Sequence, residues 1–393
     1  MDPAADVVVI GAGPAGLAAA ARLTGAGIAT VVLERSAVGA SWRARHDRLR
    51  LNSLRWLSRL PGLAMPRSAG RWVPRDDLVR YLERYADRAG ITVRTGVSAE
   101  RVDHDDGGCW VVRTSAGDVR ARQVVVATGN EKQPVLPAWP GQQTFAGRLL
   151  HARDYGRAES YDGEDVLVVG PGISGTEVAG DLAARGTGRV WLSVRTPPTL
   201  VARELGHVPL QPIAVGGRYL PAAVQDRILR LVSRATVGDL RSLGLPDPDE
   251  GGYSHFRRTG VGPSIDLGFA AQLRAGRVQL VAPISRIEGS EVVLADGRRL
   301  SPATVIAATG YRPDLGPLVG HLGVLDARGR PCAVGGRAAA PGLRFMGFSP
   351  QLTGDLREFR LQSRSLLRAV RRELAATDSR ASAPSRLRAA RPR

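Results

Sequence analysis

The segment Asp6 to Arg35, DVVVIGAGPAGLAAAARLTGAGIATVVLER, constrains the fold more than any other part of the chain. Val7 to Ile10 is a short unbroken apolar run, the pattern of a parallel strand buried on both faces. Gly11, Gly13 and Gly16 follow in GxGxxG spacing and open an Ala-rich helical stretch that ends near Gly25–Gly27. A second apolar run, Ala29 to Leu33, closes on Glu34 and Arg35. Each glycine has its own physical task. Gly11 permits the tight turn, Gly13 lets a pyrophosphate reach the backbone, and Gly16 lets helix and strand pack closely. The helix N-terminus offers free N–H groups and a positive dipole end to phosphate. Glu34 stands where a carboxylate accepts hydrogen bonds from a ribose diol. An isolated GxGxxG says little, but here strand, glycines, helix, second strand and terminal acid fall in register.

The pattern recurs at Asp165 to Arg195, DVLVVGPGISGTEVAGDLAARGTGRVWLSVR. Val166 to Val169 reads as the strand, and Gly170, Gly172 and Gly175 are the glycines, with Ser174 among them. Arg189 to Val194 is the next strand, and Arg195 replaces the terminal acid. A carboxylate there would repel a 2′-phosphate, whereas an arginine fork grips it. The second site is therefore expected to take NADPH rather than NADH, against the plainer reading of Arg195 as one surface arginine among many. Two dinucleotide sites mean two cofactors. The simplest partner for NADPH is FAD at the first motif, with hydride passing from nicotinamide to isoalloxazine. The expected fold is α/β, with two Rossmann-like dinucleotide-binding domains, the NADPH domain inserted into the FAD domain.

Composition narrows the function. The 393 residues are enough for two domains, and 43% hydrophobic with 23% charged residues is a globular balance. The net charge of +18 would suit nucleic acid or an anionic membrane. Yet the cation is nearly all arginine, with Lys132 the sole lysine, spread along the chain without a zinc-finger or RNA-binding signature. Five of the arginines (Arg380, Arg386, Arg388, Arg391, Arg393) fall in a Ser/Ala/Pro-rich tail. No nucleic-acid partner is expected. Cys109 and Cys332 lie far apart and no CxxC occurs, which argues against a disulfide scaffold, a thiolate metal site or a dithiol redox centre. Asp2 and Asp6 stand where a signal peptide would be positive, and the apolar run from Val7 to Ala21 is broken by glycines and Pro14. The expectation is a cytoplasmic protein, monomer or homodimer, with no membrane span.

Two further segments carry a resemblance. Val124 to Asn130, VVVATGN, and Val305 to Tyr311, VIAATGY, resemble the ATG segments that cross between domains in flavoproteins with two dinucleotide sites. Phe145 to Tyr155, FAGRLLHARDY, fits F-x-G-x-x-x-H-x-x-x-Y/F at Phe145, Gly147, His151 and Tyr155, the fingerprint of class B flavin monooxygenases. The likeness runs from Asp6 to about Arg368 and is strongest to the flavin-containing monooxygenases and the plant YUCCA-type indole-3-pyruvate monooxygenases. It implies that GASWRARHDRLRLNS (Gly39 to Ser53) lies beside the flavin with Trp42 near the cofactor. It implies cofactor contacts at Arg35, Val97, Ala127, Thr128, Gly129, Ser174, Thr309 and Gly310, and a helix starting at Gly354 in GFSPQLTG, aimed at the flavin's pyrimidine end.

Asn52 matches the active-site Asn of the flavin-containing monooxygenases and tilts the comparison toward N- or S-oxygenation. LERSAVGASW, SVRTPPTLVAREL and GVGPSIDLGFAAQLRAGRVQLV read more like the YUCCA branch. Asn52 then either donates its amide to the distal oxygen or to the substrate, or is a turn asparagine holding its own backbone. His151 is read as a hinge residue packed between domains, without a part in the chemistry. Tyr155–Gly156 stands where Baeyer–Villiger enzymes continue with Trp, and the Tyr-Pro-Gly and Asp expected after Trp42 are missing, which disfavours a type I Baeyer–Villiger enzyme.

The domain boundaries implied are 1–158 for the first part of the FAD domain and 159–297 for the NADPH domain. A variable substrate-channel region covers 196–263, a return segment 298–375, and a disordered basic tail 376–393. A helix is expected over Pro221 to Ala235, and Tyr219, Tyr253 and Phe256 are aromatic channel candidates that could equally be core or loop packing. The implied activity is an NADPH- and O2-dependent monooxygenation of a small organic substrate through a C4a-(hydro)peroxyflavin. The substrate is an amine or thioether, or a carbonyl or 2-oxo acid, in small-molecule metabolism. Alternatives left open are an NADPH-dependent flavin oxidase or reductase without oxygen insertion, Baeyer–Villiger oxygenation, and a non-catalytic redox sensor.

Overall fold

In a computed structural model that describes residues 5–105 and 108–381, the Ala5–Ile10 strand lies inside a mostly parallel sheet. It pairs with Thr30–Glu34 on one side and Val119–Val126 on the other, and Thr92–Thr95 extends the sheet beyond Thr30–Glu34. Leu343–Phe345 joins the far edge of Val119–Val126, in parallel. Val7 and Val9 face a core shared with the Pro14–Thr24 and Asp355–Ala381 helices through Leu17, Leu366 and Val370. Val8 and Ile10 face an opposite core with Trp110, Leu318 and Phe345. Burial on both faces explains why this strand is apolar at every position rather than at alternate ones.

A second sheet, parallel throughout, runs in the order Arg148–His151, Thr304–Ala307, Val166–Val169, Val190–Ser193, Val278–Val281. Its layout repeats the first. In each sheet the strand leading to the ATG turn lies directly beside the strand leading to the glycines, with Val126 opposite Ile10 and Ala307 opposite Val169. The same backbone bond closes both turns: Ala127 N–H donates to Ile10 O and Ala308 N–H donates to Val169 O, each at 2.8 Å. The segments leaving the two turns then pair with one another, Tyr311 opposite Pro134, where the chain crosses between sheets.

Two expectations need correction. Boundaries at 158 and 298 cut through the second sheet, because Arg148–His151 and Thr304–Ala307 both belong to it. The fingerprint segment precedes the second glycine motif, so position along the chain suggested the first domain, but its strand finds its hydrogen-bond partners on Thr304–Ala307. The disorder expected from 376 does not hold over the described part of that segment. Residues 376–381 continue the Asp355–Ala381 helix, since Ala375 and Ala376 are strong helix formers. The remainder of that segment, with Arg386, Arg388, Arg391 and Arg393, lies outside the described residues.

Three helices fill the inserted region, Gln211–Gly217, Ala222–Thr236 and Gly252–Thr259. The second begins just after Pro221, whose fixed φ suits the entry to a helix. The Asp226 carboxylate accepts from the N–H groups of Tyr253 (2.8 Å) and Ser254 (3.1 Å), so one helix caps the start of the next.

Candidate functional site

Both glycine turns open into one cavity of about 1450 Å³ between the two sheets. At Gly11 (φ +106°) a Cβ would sit 2.7 Å from Ala127 O, and at Gly16 1.9 Å from Gly11 O. Gly170 (φ +105°) and Gly175 repeat this, at 2.7 Å from Ala308 O and 1.8 Å from Gly170 O. These four positions are closed by backbone, and only glycine fits. Gly13 and Gly172 have nothing within 4 Å of an added Cβ, and both line the cavity. Each turn thus presents bare backbone to open space at the start of a helix, which is the shape a pyrophosphate requires.

Glu34 lines the first cradle. Its carboxylate accepts from Ala12 N–H at 2.8 Å and Ser36 N–H at 3.0 Å, which fixes it at the end of its strand. Arg35, Trp42, Val97, Ala127, Thr128, Gly129 and Gly354 line the same cavity, as do Ser174, Thr309 and Gly310 of the second cradle. Trp42 is held on the short Ala40–Arg43 helix. Gly354 (φ +97°) opens the Asp355–Ala381 helix, whose N-terminus therefore opens on the cavity. Gly16, Gly170 and Gly175 do not line it, because they form the turns from behind. Arg195 is exposed two residues past the Val190–Ser193 strand and does not line the cavity.

Asn52 sits within the Arg50–Leu54 strand and makes no hydrogen bond to its own backbone. Its Oδ1 is buried without a partner while the residue lines the cavity, and Thr128 Oγ1 is in the same condition. Buried polar atoms are nearly always paired, and Arg203 Nη1 and Thr353 Oγ1 on the same wall are orphaned too, so these atoms mark where a polar ligand completes the set. The turn-asparagine reading of Asn52 is not what the structure shows.

Of the fingerprint residues, His151 reaches the segment that crosses between sheets, while Phe145 and Gly147 pack within the second unit. The Phe145 ring covers Gly147, where a Cβ would meet it at 2.7 Å. His151 is buried at the end of its strand. Its Nδ1 accepts from Arg153 N–H (3.1 Å), so the proton sits on Nε2 and is donated to Gly310 O (3.1 Å). Its ring meets Tyr311 edge-on with centroids 4.8 Å apart. Burial holds its pKa below the usual histidine value, with the Gly310 bond opposing. Tyr155 is buried and donates to Asp181 Oδ2 on the Ile173–Arg185 helix (2.8 Å), and burial pushes its pKa up. Phe145, Gly147 and Tyr155 do not line the cavity.

Several residues of the site carry no sequence signature. Glu177, on the helix that follows the second glycines, lines the cavity with its carboxylate 3.4 Å from His46 Nε2. Burial pushes its pKa up to about 7, Arg203 opposing and Asp181 adding to the rise. Burial likewise holds His46 below its usual value. Gln211 accepts from Leu54 N–H at 2.6 Å and donates to Thr353 O at 2.8 Å, joining the Asn52 strand to the loop before Gly354. Glu177, one of two acids on its helix, and His46, beside Asp47 among arginines, carried no distinguishing signal. Arg203 and Gln211 had none. Tyr219, Tyr253 and Phe256 all line the far end, Tyr219 largely exposed, beside Ile213, Ala214 and Ile228. No described helix is long and apolar enough to cross a membrane.

Comparison with known proteins follows the same outline. Residues 8–214 match the family described as pyridine nucleotide-disulphide oxidoreductase. Neither Cys109 nor Cys332 lines the cavity, so what is shared is the nucleotide-binding architecture rather than a dithiol. The chain is 36% identical over 326 residues to the indole-3-pyruvate monooxygenase YUCCA1 of Oryza sativa subsp. japonica, covering 82% of this chain and 80% of that protein. A solved flavin-containing monooxygenase from Stenotrophomonas maltophilia superposes with a TM-score of 0.70 at 26% identity, over 96% of this chain and all of that one (100%). An open structure of cyclohexanone monooxygenase shares the fold, with a TM-score of 0.67 at 19% identity, over 95% of this chain and 88% of that one.

Proposed function

The chain belongs to the class B flavin-dependent monooxygenases, and from that premise we propose how its cavity divides the work between FAD, NADPH and a small organic substrate. The carrying observation is that two glycine cradles, on two sheets, open into one shared cavity. FAD fits the first cradle and NADPH the second. Once bound, FAD supplies the activation of dioxygen, with electrons drawn from NADPH.

The chain's own residues supply position, charge and dryness. Backbone N–H groups after Gly11 and Gly172 take the two pyrophosphates, and Glu34 takes a ribose diol of FAD. Arg35, Trp42, Val97 and the Ala127–Gly129 turn wall the flavin side. The helix opening at Gly354 turns its positive end to the flavin, where it stabilises negative charge on the ring. Ser174, Thr309 and Gly310 border the nicotinamide dinucleotide, and Arg195, exposed and outside the cavity, would meet the 2′-phosphate only where that group extends past the rim. The Asn52 amide, on the cavity wall with its oxygen unpartnered, is free to bond the substrate or the oxygen being transferred. His151, bonded to Gly310 O, and Tyr155, packed against His46, tie the second unit to the crossing and to the flavin side, and Phe145 and Gly147 support them from within the second unit. His151 stays neutral with both ring nitrogens committed, so it acts as a pin rather than as a base.

The relatives matched over most of the chain act, by name, on indole-3-pyruvate, a 2-oxo acid. The apolar far wall, with Ile213, Tyr253 and Phe256, suits the body of such a molecule. Oxidation at the carbonyl of a 2-oxo acid is therefore the preferred reading, and amine and thioether oxygenation are the competing arms of the test. The test is oxygen and NADPH consumption by the FAD-loaded protein with each substrate class. A substrate is accepted when it lowers hydrogen peroxide release per NADPH and an oxygenated or decarboxylated product appears in proportion. Quantitative conversion of NADPH electrons to peroxide with every class would instead make the protein an oxidase.

A further inference from the structure

Arg203 follows the Leu200–Ala202 strand, on the cavity wall. Its guanidinium lies over the Trp72 ring, 4.8 Å from the centroid, and so has a fixed plane. Among the described residues it makes no hydrogen bond and no ion pair, and its Nη1 is buried without a partner. Such a group stays charged in a protein, and a half-buried charge with one buried donor left unpartnered is costly to the fold.

The neighbouring charges do not discharge it. Glu204 is committed to Arg71, with Oε2 accepting at 2.9 Å. Glu177 faces His46 and holds its proton up to about neutral pH. The remaining neighbour is a second cation. Arg50 lines the cavity, donates only to Trp72 O (3.2 Å), and acts on Arg203 as a like charge. Two arginines therefore converge on one tryptophan at the edge of the cavity, while Glu177 and Glu204 act on Arg203 only across a distance, neither forming an ion pair with it.

We propose that Arg203, seated on Trp72 and supported by Arg50, is an anion-recognition site of the cavity. It takes a carboxylate or phosphate group of a ligand whose remaining body lies along the apolar wall of Ile213, Ala214, Tyr253 and Phe256. The proposal rests on the monooxygenase reading and refines it, since it requires an acidic substrate or an acidic part of the dinucleotide. Asn52 lies on the strand paired with that of Trp72, Leu54 opposite Trp72, so the anion site and the orphaned amide share one hairpin. The anionic head would then be gripped close to the polar end of the cavity, with its apolar body pointing away.

The experiment is calorimetric titration of the FAD-loaded protein with phenylpyruvate, its neutral counterpart phenylacetone, and NADP+, for the wild type, Arg203→Gln and Arg203→Lys. A charge-assisted contact predicts that the wild type binds the acid about ten- to a hundredfold more tightly than the ketone. In Arg203→Gln that ratio falls toward one with NADP+ affinity unchanged if the anion is a substrate carboxylate. If the anion is a dinucleotide phosphate, NADP+ weakens about tenfold or more instead. Arg203→Lys retains part of whichever preference is found, and flavin content and melting temperature report folding. Unchanged ratios and unchanged NADP+ affinity in a folded Arg203→Gln overturn the proposal. Binding needs no turnover, so a failure of oxygenase activity leaves this result legible on its own.

Discussion

A methyl group at Gly175 would lie 1.8 Å from the Gly170 carbonyl oxygen, whereas one at Gly172 would meet no protein atom within 4 Å. The two substitutions therefore fail in different ways. Gly175→Ala damages the fold of the second unit. Gly172→Ala folds, keeps its flavin, and raises the Kd for NADP+ by about tenfold or more, because the methyl occupies space the pyrophosphate needs; titration of the two variants distinguishes them. Glu177 gives a prediction in pH. Its folded pKa of about 7 stands above the ordinary 4.5. Between those values the unfolded chain releases the proton while the folded chain keeps it, so this residue makes stability fall as pH rises through that window. Glu177→Gln removes the penalty. Chemical denaturation should show it more stable than wild type by about 1–3 kcal/mol at pH 8, with the gain vanishing below pH 4.5. At this scale the glycines were legible because backbone geometry leaves only one residue type possible. Glu177 and Arg203 were not, because their character comes from burial by segments far away in the chain.

Between elements, the contact of most consequence is Gln211. From the first turn of an inserted helix it holds both the Asn52 strand and the loop that ends at Gly354, where a Cβ would sit 2.7 Å from its Nε2. Around it, Arg71 binds Glu204 and the His207 carbonyl, and Arg203 lies on Trp72, so the insert is docked on the Arg50–Leu54 and Trp72–Pro74 hairpin. Gln211→Ala should speed hydrogen exchange at the Leu54 amide in the cofactor-free protein. In the loaded enzyme it should raise peroxide release per NADPH, since a looser wall admits water. Gln211→Glu keeps the acceptor for Leu54 but sets a carboxylate against Thr353 O, and should free only the loop. The helix after Pro221 could be read from its entry residue and its apolar spacing. The docking could not, because a glutamine between two backbone groups has no periodicity to betray it.

Across the whole molecule, one strand–turn–helix–strand plan is used twice, and the ATG turns repeat it down to the bond that closes each glycine loop. That duplication was visible in the chain because two buried parallel strands and three spaced glycines leave a dense pattern. The boundaries were less visible: the Arg148–His151 strand carries the fingerprint, yet nothing in its residues says which sheet it joins. Both cradles serve a single cavity, so that a nicotinamide held by one would face a flavin held by the other. Anaerobic mixing of the FAD-loaded protein with NADPH, followed by the flavin's visible absorbance, tests it most directly. Bleaching is expected at a rate that saturates with NADPH, faster at low concentration than with NADH, and needing at least tenfold more NADPH in Gly172→Ala. A chain that takes up no flavin, or a bound flavin that stays oxidised at saturating NADPH, would contradict it.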